Sequence, residues 1–367
     1  MDFLVRRFNP TPSSTASKYG PIGLFSPSSF LAHTSDPMLA ASLSKLANFS
    51  LTSSTWSSYR TAAGMLQTCC NSLNIPLAYP VSQQIILSFI AWLDTRGISA
   101  STISSYLSAV RQVHLSLGLP IPTIRSDLVQ QVLSGKKKLD ATTPNLRPIR
   151  IPVTPAILRL LKIKISGDGK LSPADKLTYW LLCSLAFHGC FRMGELISRS
   201  PSSFDPRFTL LRSDVDLRRT LIKNTNFSFL EVTLRSTKTA TTATTIIDIF
   251  QTNTNICPVK AYTRWCTISA PNQSTAAFQL SSGKLITASN FNANLRRWLG
   301  ESIDFSRTTV SGHSFRAGLP SVLGTLGFDD KDLKEVGRWS SRAFLLYSKL
   351  PRTKRLAMAK ALGDLNV

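Results

Sequence analysis

Along the chain, stretches in which apolar residues recur every three or four positions alternate with stretches rich in Ser, Thr and Pro. Trp56, Tyr59, Ala63, Leu66, Cys70 and Leu73 fall on one side of a 3.6-residue period and predict a helix. Ile86, Phe89, Ile90 and Leu93 predict a second. Ile103, Tyr106, Leu107, Val110, Val113 and Leu117 predict a third, with Ser101 as its N-cap and Gly118 and Pro120 as its stop. A fourth carries Leu128, Val129, Val132 and Leu133, opening at Ser126 or Asp127 and closing at Gly135. These four define a helical domain over residues 38–139. Residues 1–37 show no sustained apolar period and read as a flexible leader.

Residues 140–155 are punctuated by Pro144, Pro148 and Pro152 and read as a linker. Beyond it the pattern changes. Pro155 to Ile165 and Pro173 to His188 read as helices, and Phe208–Leu211, Phe229–Arg235 and Thr244–Phe250 read as strands. Helices return from Pro258. The run Leu177–Cys190 is interrupted by Tyr179, Ser184 and His188 and is shorter than the roughly 20 apolar residues of a membrane span, so it reads as a buried helix. Without the strand–helix alternation of a parallel sheet, the fold class is mainly α with a small antiparallel β-sheet (α+β). This second domain extends over residues 156–352, followed by a tail at 353–367 whose Leu356, Met358, Ala361 and Leu362 can share a helical face.

Charge adds what periodicity cannot. The 367 residues include 43 Lys and Arg against 20 Asp and Glu, a net charge of +23, which points to a polyanionic partner, with nucleic acid first. No basic amphipathic helix or lipidation motif favours a membrane surface. No apolar signal core follows Met1, so an intracellular, reducing compartment is expected, with the six cysteines as free thiols. There is no C-x-x-C, and His33, His114, His188 and His313 lie far apart, so no metal site is expected. Phosphate-loop, dinucleotide, serine-hydrolase and zinc-protease motifs are all lacking, and no cofactor is expected.

In the helical domain, Ser54, Ser57, Ser58 and Arg60 line one helix and Ser104, Ser105, Ser108 and Arg111 another. Short hydroxyls with scattered arginines suit close approach to a phosphate backbone, although serine is also common on any solvated face. Lys136, Lys137 and Lys138 are candidates for phosphate contacts on the same grounds, or a plain solvated run.

Two segments of the second domain put an arginine in an apolar setting. In Phe191-Arg192-Met193-Gly194-Glu195-Leu196 the arginine is costly to bury unless it meets an anion, and Glu195 at i+3 is a ready internal partner. In Gly312-His313-Ser314-Phe315-Arg316, His313 and Arg316 share a helix face and can aim donors at one phosphate. Downstream, Gly337-Arg338-Trp339-Ser340-Ser341 precedes Ala343-Phe344-Leu345-Leu346-Tyr347. In this combination and order, Arg192, Lys238, His313, Arg316, Trp339 and Tyr347 resemble the tyrosine recombinase (phage integrase) superfamily across roughly residues 40–355.

The resemblance implies a helical core-binding domain, a catalytic domain, double-stranded DNA as partner and a homotetramer in a synaptic complex. It implies that Tyr347 attacks a phosphate to form a 3′-phosphotyrosine, that Arg192 and Arg316 hold the non-bridging oxygens, and that Lys238 protonates the leaving 5′-oxygen. His313 and Trp339 would add donors and Glu195 would orient Arg192. Lys223 is a neighbouring rival for the lysine role. Pro320 departs from the family pattern and is expected to kink the helix that follows Arg316. A type IB topoisomerase, a hairpin-forming strand transferase and a non-catalytic DNA-binding descendant are the competing readings. The Ser/Thr-rich helical domain and Ser311-Gly312-His313-Ser314-Phe315-Arg316 are similar to recombinases of eukaryotic mobile elements of DIRS or Crypton type, which implies integration or excision in a nucleus, or in a nucleoid if the source is bacterial.

Overall fold

The structure is a computed structural model that describes residues 30–31, 33–121, 124–142, 148–235, 244–268 and 275–339. Most of the leader, the centre of the linker, Lys238, Tyr347 and the 353–367 tail lie outside the described residues. The chain forms two compact units, Met1–Asn145 and Leu146–Val367. The first holds α1 (Pro37–Phe49), α2 (Ser53–Ser72), α3 (Gln83–Asp94), α4 (Ala100–Ser116) and α5 (Asp127–Thr142). Leu66, Ile86, Phe89, Ile90, Leu93, Ile103 and Leu107 close its core, as the periodicity predicts.

Two boundaries differ from the sequence expectation. The N-cap of α4 is Ser99, whose hydroxyl accepts the Thr102 amide, and not Ser101. α5 continues through Gly135 to Thr142. A helix-interior glycine costs about 1 kcal/mol relative to alanine, and the last turns are held by polar anchors that offset it. Asp140 Oδ2 accepts the Ala100 amide at 2.7 Å, and Lys136 Nζ meets Asp94 at 2.6 Å and Asp140 at 2.8 Å. His114 ties the unit from within: its Nε2 accepts the Val81 amide at 2.9 Å and its Nδ1 faces the Val110 carbonyl at 2.7 Å.

The second unit holds β1 (Ile149–Arg150), α6 (Pro155–Ser166), α7 (Pro173–His188), α8 (Met193–Leu196), β2 (Val215–Ile222), β3 (Thr225–Leu234) and β4 (Thr245–Phe250). It continues with α9 (Pro258–Ile268), α10 (Ala288–Leu299), β5 (Thr308–Thr309), α11 (Gly312–Leu326) and α12 (Asp330–Val336). β2, β3 and β4 form an antiparallel meander in that order, with Leu217 opposite Leu230 and Leu230 opposite Ile249. β1 and β5 add a short parallel pair that the pattern did not announce.

The expected strand Phe208–Leu211 is not one. The Phe208 and Thr209 amides both turn back to the Asp205 carbonyl, and Leu211 donates to Asp214 at the mouth of a 3₁₀ turn. The strand is instead Val215–Ile222, whose exposed Asp216, Arg218 and Arg219 hide its alternation. It reverses through Lys223 and Asn224, at φ 46° and 62°, the two left-handed residues of a tight hairpin.

α7 is the centre of this unit, buried from Thr178 through Phe187 and flanked by α6, α9 and α11. The Trp265 indole donates to Thr178 Oγ1 at 3.1 Å, joining α9 to α7. Asp168 accepts the Trp298 indole at 2.8 Å and pairs with Arg297 at 2.6 Å. These bonds hold its carboxyl well below the usual carboxylate range, with the Arg297 guanidinium as the main cause. Among the described residues no helix is long and apolar enough to cross a membrane.

Candidate active site

α7 ends at His188, and the next seven residues make the first wall of the site. Gly189 caps the helix against the Phe191 ring so closely that a Cβ there would lie 2.2 Å from a ring carbon, so only glycine fits. Cys190 then adopts a left-handed backbone, φ 49°, which is strained for a residue with a side chain. Arg192 opens α8. Its amide donates to Glu195 Oε2 at 2.9 Å and its Nη1 to Glu195 Oε1 at 2.8 Å. The Arg192–Glu195 pair expected from spacing is present, with Glu195 capping the helix as well as pairing.

The second wall is α11. Its first turn abuts α8: the Gly312 amide meets Asn292 Oδ1 at 3.3 Å, and a Cβ on Gly312 would lie 2.7 Å from Met193 Cβ. Arg316 is 5% exposed. Its Nη1 donates to the Cys190 carbonyl at 2.6 Å and its Nη2 to the Gly337 carbonyl at 2.5 Å. The helix runs on to Leu326 with Pro320 buried inside it, a continuing helix as expected around that proline. His313 lies exposed in the same first turn.

The third wall is the corner after α12. Trp339 packs on Leu333 and Leu323, and its ring lies 5.2 Å from the Arg316 guanidinium carbon. Between Gly337 and Trp339 stands Arg338, again left-handed at φ 54°. Its Nη2 donates to Glu195 Oε2 at 3.1 Å and to the Cys190 carbonyl at 3.3 Å, and its guanidinium carbon lies 4.9 Å from the Phe191 ring centre. Sequence pattern alone does not single out Arg338. The available signal was an arginine between a glycine and a tryptophan, with no acidic residue nearer than Glu335.

Three guanidinium groups therefore gather around one buried carboxylate, leaving the cluster with an excess of positive charge. The electrostatics register this. Burial, reinforced by the positive charges of Arg192 and Arg338 and opposed by Glu195, lowers the Arg316 pKa to about 10. Burial pushes the Cys190 thiol up to about 12 despite Arg316 and Arg338 beside it, so this cysteine is an inert wall and not a nucleophile. Arginine does not shed its proton under ordinary conditions, so an anion bound beside the cluster would relieve the disfavoured charge.

The residues expected from sequence divide as follows. Arg192, Glu195, Arg316 and Trp339 come together, and His313 stands on the same helix as Arg316. In the first unit, Ser57 and Arg60 are exposed on α2, while Arg111 is half-buried on α4. The Ser104 and Ser105 hydroxyls donate back to the Ala100 and Ser101 carbonyls at 2.9 and 3.1 Å, so both meet a partner as acceptors unless they rotate away. The Lys136 side chain is 10% exposed and bound between two carboxylates, while Lys137 and Lys138 are exposed.

No protein-family model and no curated protein sequence matches the chain. Solved structures do. The XerH site-specific recombinase bound to palindromic difH substrate, a post-cleavage complex, aligns with TM-score 0.55 and 13% identity over 92% of this chain and 85% of its own. The Tn1549 transposon integrase in complex with transposon right end DNA gives 0.52 and 14%, over 85% and 95%. A lambda integrase dimer bound to a COC′ core site gives 0.51 and 12%, over 83% and 74%. The chain has the tyrosine recombinase fold.

Proposed function

We propose that the chain is a site-specific DNA recombinase that breaks and rejoins double-stranded DNA through a 3′-phosphotyrosine on Tyr347. The observation that carries this reading is the cluster of Arg192, Arg316 and Arg338 around Glu195, which suits a phosphodiester in transit to a doubly charged, pentacoordinate state. Arg316 uses two of its N–H donors on backbone carbonyls, which fix the plane of the guanidinium, and the rest remain to meet a non-bridging oxygen. Arg192, oriented by Glu195, meets the other. Trp339 supports the Arg316 plane, and its indole is a candidate donor to the same phosphate. His313, exposed at the mouth of α11, assists proton transfer.

In the reaction, Tyr347 Oη forms a bond to phosphorus while the bond to the 5′-oxygen breaks. The tyrosine proton leaves to a base, and the 5′-oxygen takes a proton from Lys238. The phosphotyrosine conserves the bond energy, so a second 5′-hydroxyl can reverse the step without a nucleotide.

The first unit contacts the duplex through Ser57, Arg60, Ser104, Ser105, Arg111, Lys137 and Lys138. The biological setting that fits is integration or excision of a mobile element, in a nucleus or nucleoid, by a homotetramer assembled on paired sites. The fold shared with a transposon integrase and with recombinases solved on their DNA sites supports it.

The test is a random-sequence nicked duplex library incubated with wild type and with Tyr347→Phe, followed by denaturation and sequencing of DNA left on the protein. The reading expects adducts from wild type alone, enriched in one sequence. Salt-sensitive DNA binding with no adduct from either protein contradicts it and favours a binding-only protein.

A further inference from the structure

We infer that Arg338 is a positioning residue of this centre, sharing the Glu195 carboxylate with Arg192 and so fixing the first arginine for the phosphate. The inference rests on the function proposed above and deepens it.

The backbone sets where this side chain goes. Arg338 holds φ 54°, a conformation that costs an ordinary L-residue on the order of 1–3 kcal/mol and persists only where its surroundings over-determine it. They do so here from both sides. The Trp339 ring folds over Gly337 so tightly that a Cβ on Gly337 would lie 1.8 Å from a ring carbon, and Arg316 Nη2 holds the Gly337 carbonyl. With residues 337 and 339 pinned, the left-handed turn sends the Arg338 side chain inward. There it donates to Glu195 and to the Gly189 and Cys190 carbonyls at 3.1, 3.4 and 3.3 Å. The second strained residue, Cys190 at φ 49°, supplies one of those carbonyls and offers the same oxygen to Arg316. Two strained residues thus face each other across one carbonyl.

Glu195 divides its oxygens. Oε1 takes Arg192 Nη1, while Oε2 takes the Arg192 amide and Arg338 Nη2. A carboxylate held on both oxygens cannot swing, so it presents Arg192 in one orientation. Without Arg338 the carboxylate keeps both Arg192 bonds but is no longer shared with a second cation, so it neutralises Arg192 more fully and weakens its pull on an incoming anion. The Arg338 Nε–H is buried and has no partner among the described residues, so its positive end adds to the field of the cluster. The same side chain ties the turn that carries Arg192 to the chain nine residues before Tyr347.

The experiment uses the full chain and the nicked duplex enriched by wild type, comparing wild type, Arg338→Gln and Arg338→Lys, each also in a Glu195→Gln background. Arg338→Gln keeps an N–H donor for the carbonyls and removes the cation. It is expected to keep the wild-type Tm and DNA affinity while adduct formation slows on the order of 100-fold. Arg338→Lys, which restores the cation, is expected to recover most of the rate. Adding Arg338→Gln to Glu195→Gln is expected to cost nothing further, because both act through one carboxylate. A wild-type rate in Arg338→Gln, no recovery in Arg338→Lys, or losses that add with Glu195→Gln overturn the inference while leaving the recombinase reading intact. Absence of any adduct from wild type removes the reading itself, and the inference with it.

Discussion

The two units carry their basic residues in opposite ways. In the second, Arg192, Arg316 and Arg338 are drawn out of solvent, fixed by backbone carbonyls and a single carboxylate, and held against two strained residues. In the first, Arg60 is exposed, Ser104 and Ser105 are bonded to their own helix, and Lys136 is offset by two acidic neighbours. Burying an excess of like charge works against folding, whereas exposed cations cost almost nothing. Under the proposed function, the contrast separates a place where charge would be held for chemistry from a surface where it would serve diffuse attraction to a polyanion.

The largest effect expected is at Arg316. Arg316→Met should reduce adduct formation on the order of 100- to 1000-fold. It removes an excess buried charge but also the donor to the Cys190 and Gly337 carbonyls, so the two effects on Tm should largely offset. Arg60→Met should weaken DNA binding and its salt dependence while leaving the adduct rate at saturating DNA unchanged. Adducts retained in Arg316→Met, or equal adduct loss in both variants, would erase the distinction.

Acid provides a smaller effect that tests the framework of the first unit. Burial pulls the His114 pKa below 6.5, and its two ring contacts suit the neutral ring with Nδ1 protonated. The unfolded chain takes up a proton that the folded one refuses, so stability is lost as pH falls below about 6.5. His188 is shifted in the same direction by burial and gives the second unit the same sign. Melting curves from pH 8 to pH 5 should show a falling Tm, with a shallower fall in His114→Gln; an equal fall would discount His114.

The smallest effect separates three adjacent lysines. Hydrogen bonds to Asp140 and Asp94 raise the Lys136 pKa above 10.5, so its contribution is full below that pH and is lost as pH rises through the raised value. Lys136→Ala should cost about 1 kcal/mol of stability and leave the salt slope of DNA binding alone. Lys137→Ala and Lys138→Ala should each reduce that slope by about 0.9 with stability unchanged. A slope change in Lys136→Ala would place its ammonium on DNA.

The core was readable wherever apolar residues keep one period. Phe89, Leu93, Ile103 and Leu107 sit where spacing puts them, and α7 spans the expected residues. Readability failed where polar contacts override local pattern. Gly135 reads as a stop because the anchors on Lys136 and Asp140 come from α3 and α4, beyond any local window. Phe208–Leu211 reads as a strand because apolar residues that plug a turn look like residues that line a sheet. Within the site, Arg192 and Glu195 announce each other at i+3, and Arg316 follows from its box. The placement of Arg338 was not legible because it depends on a left-handed backbone and on contacts over 100 residues away in sequence, at Gly189 and Cys190.

The central claim is that this basic cluster serves a tyrosine nucleophile, and the most direct measurement identifies the residue that carries the DNA. Wild-type adducts trapped on nicked duplex would be digested with protease and nuclease and the nucleotide-bearing peptide sequenced by mass spectrometry. The account predicts one modified peptide, with a 3′-phosphate joined to Tyr347 and a free 5′-hydroxyl on the released strand. A modified residue other than Tyr347, or a 5′-phosphate linkage, would contradict it.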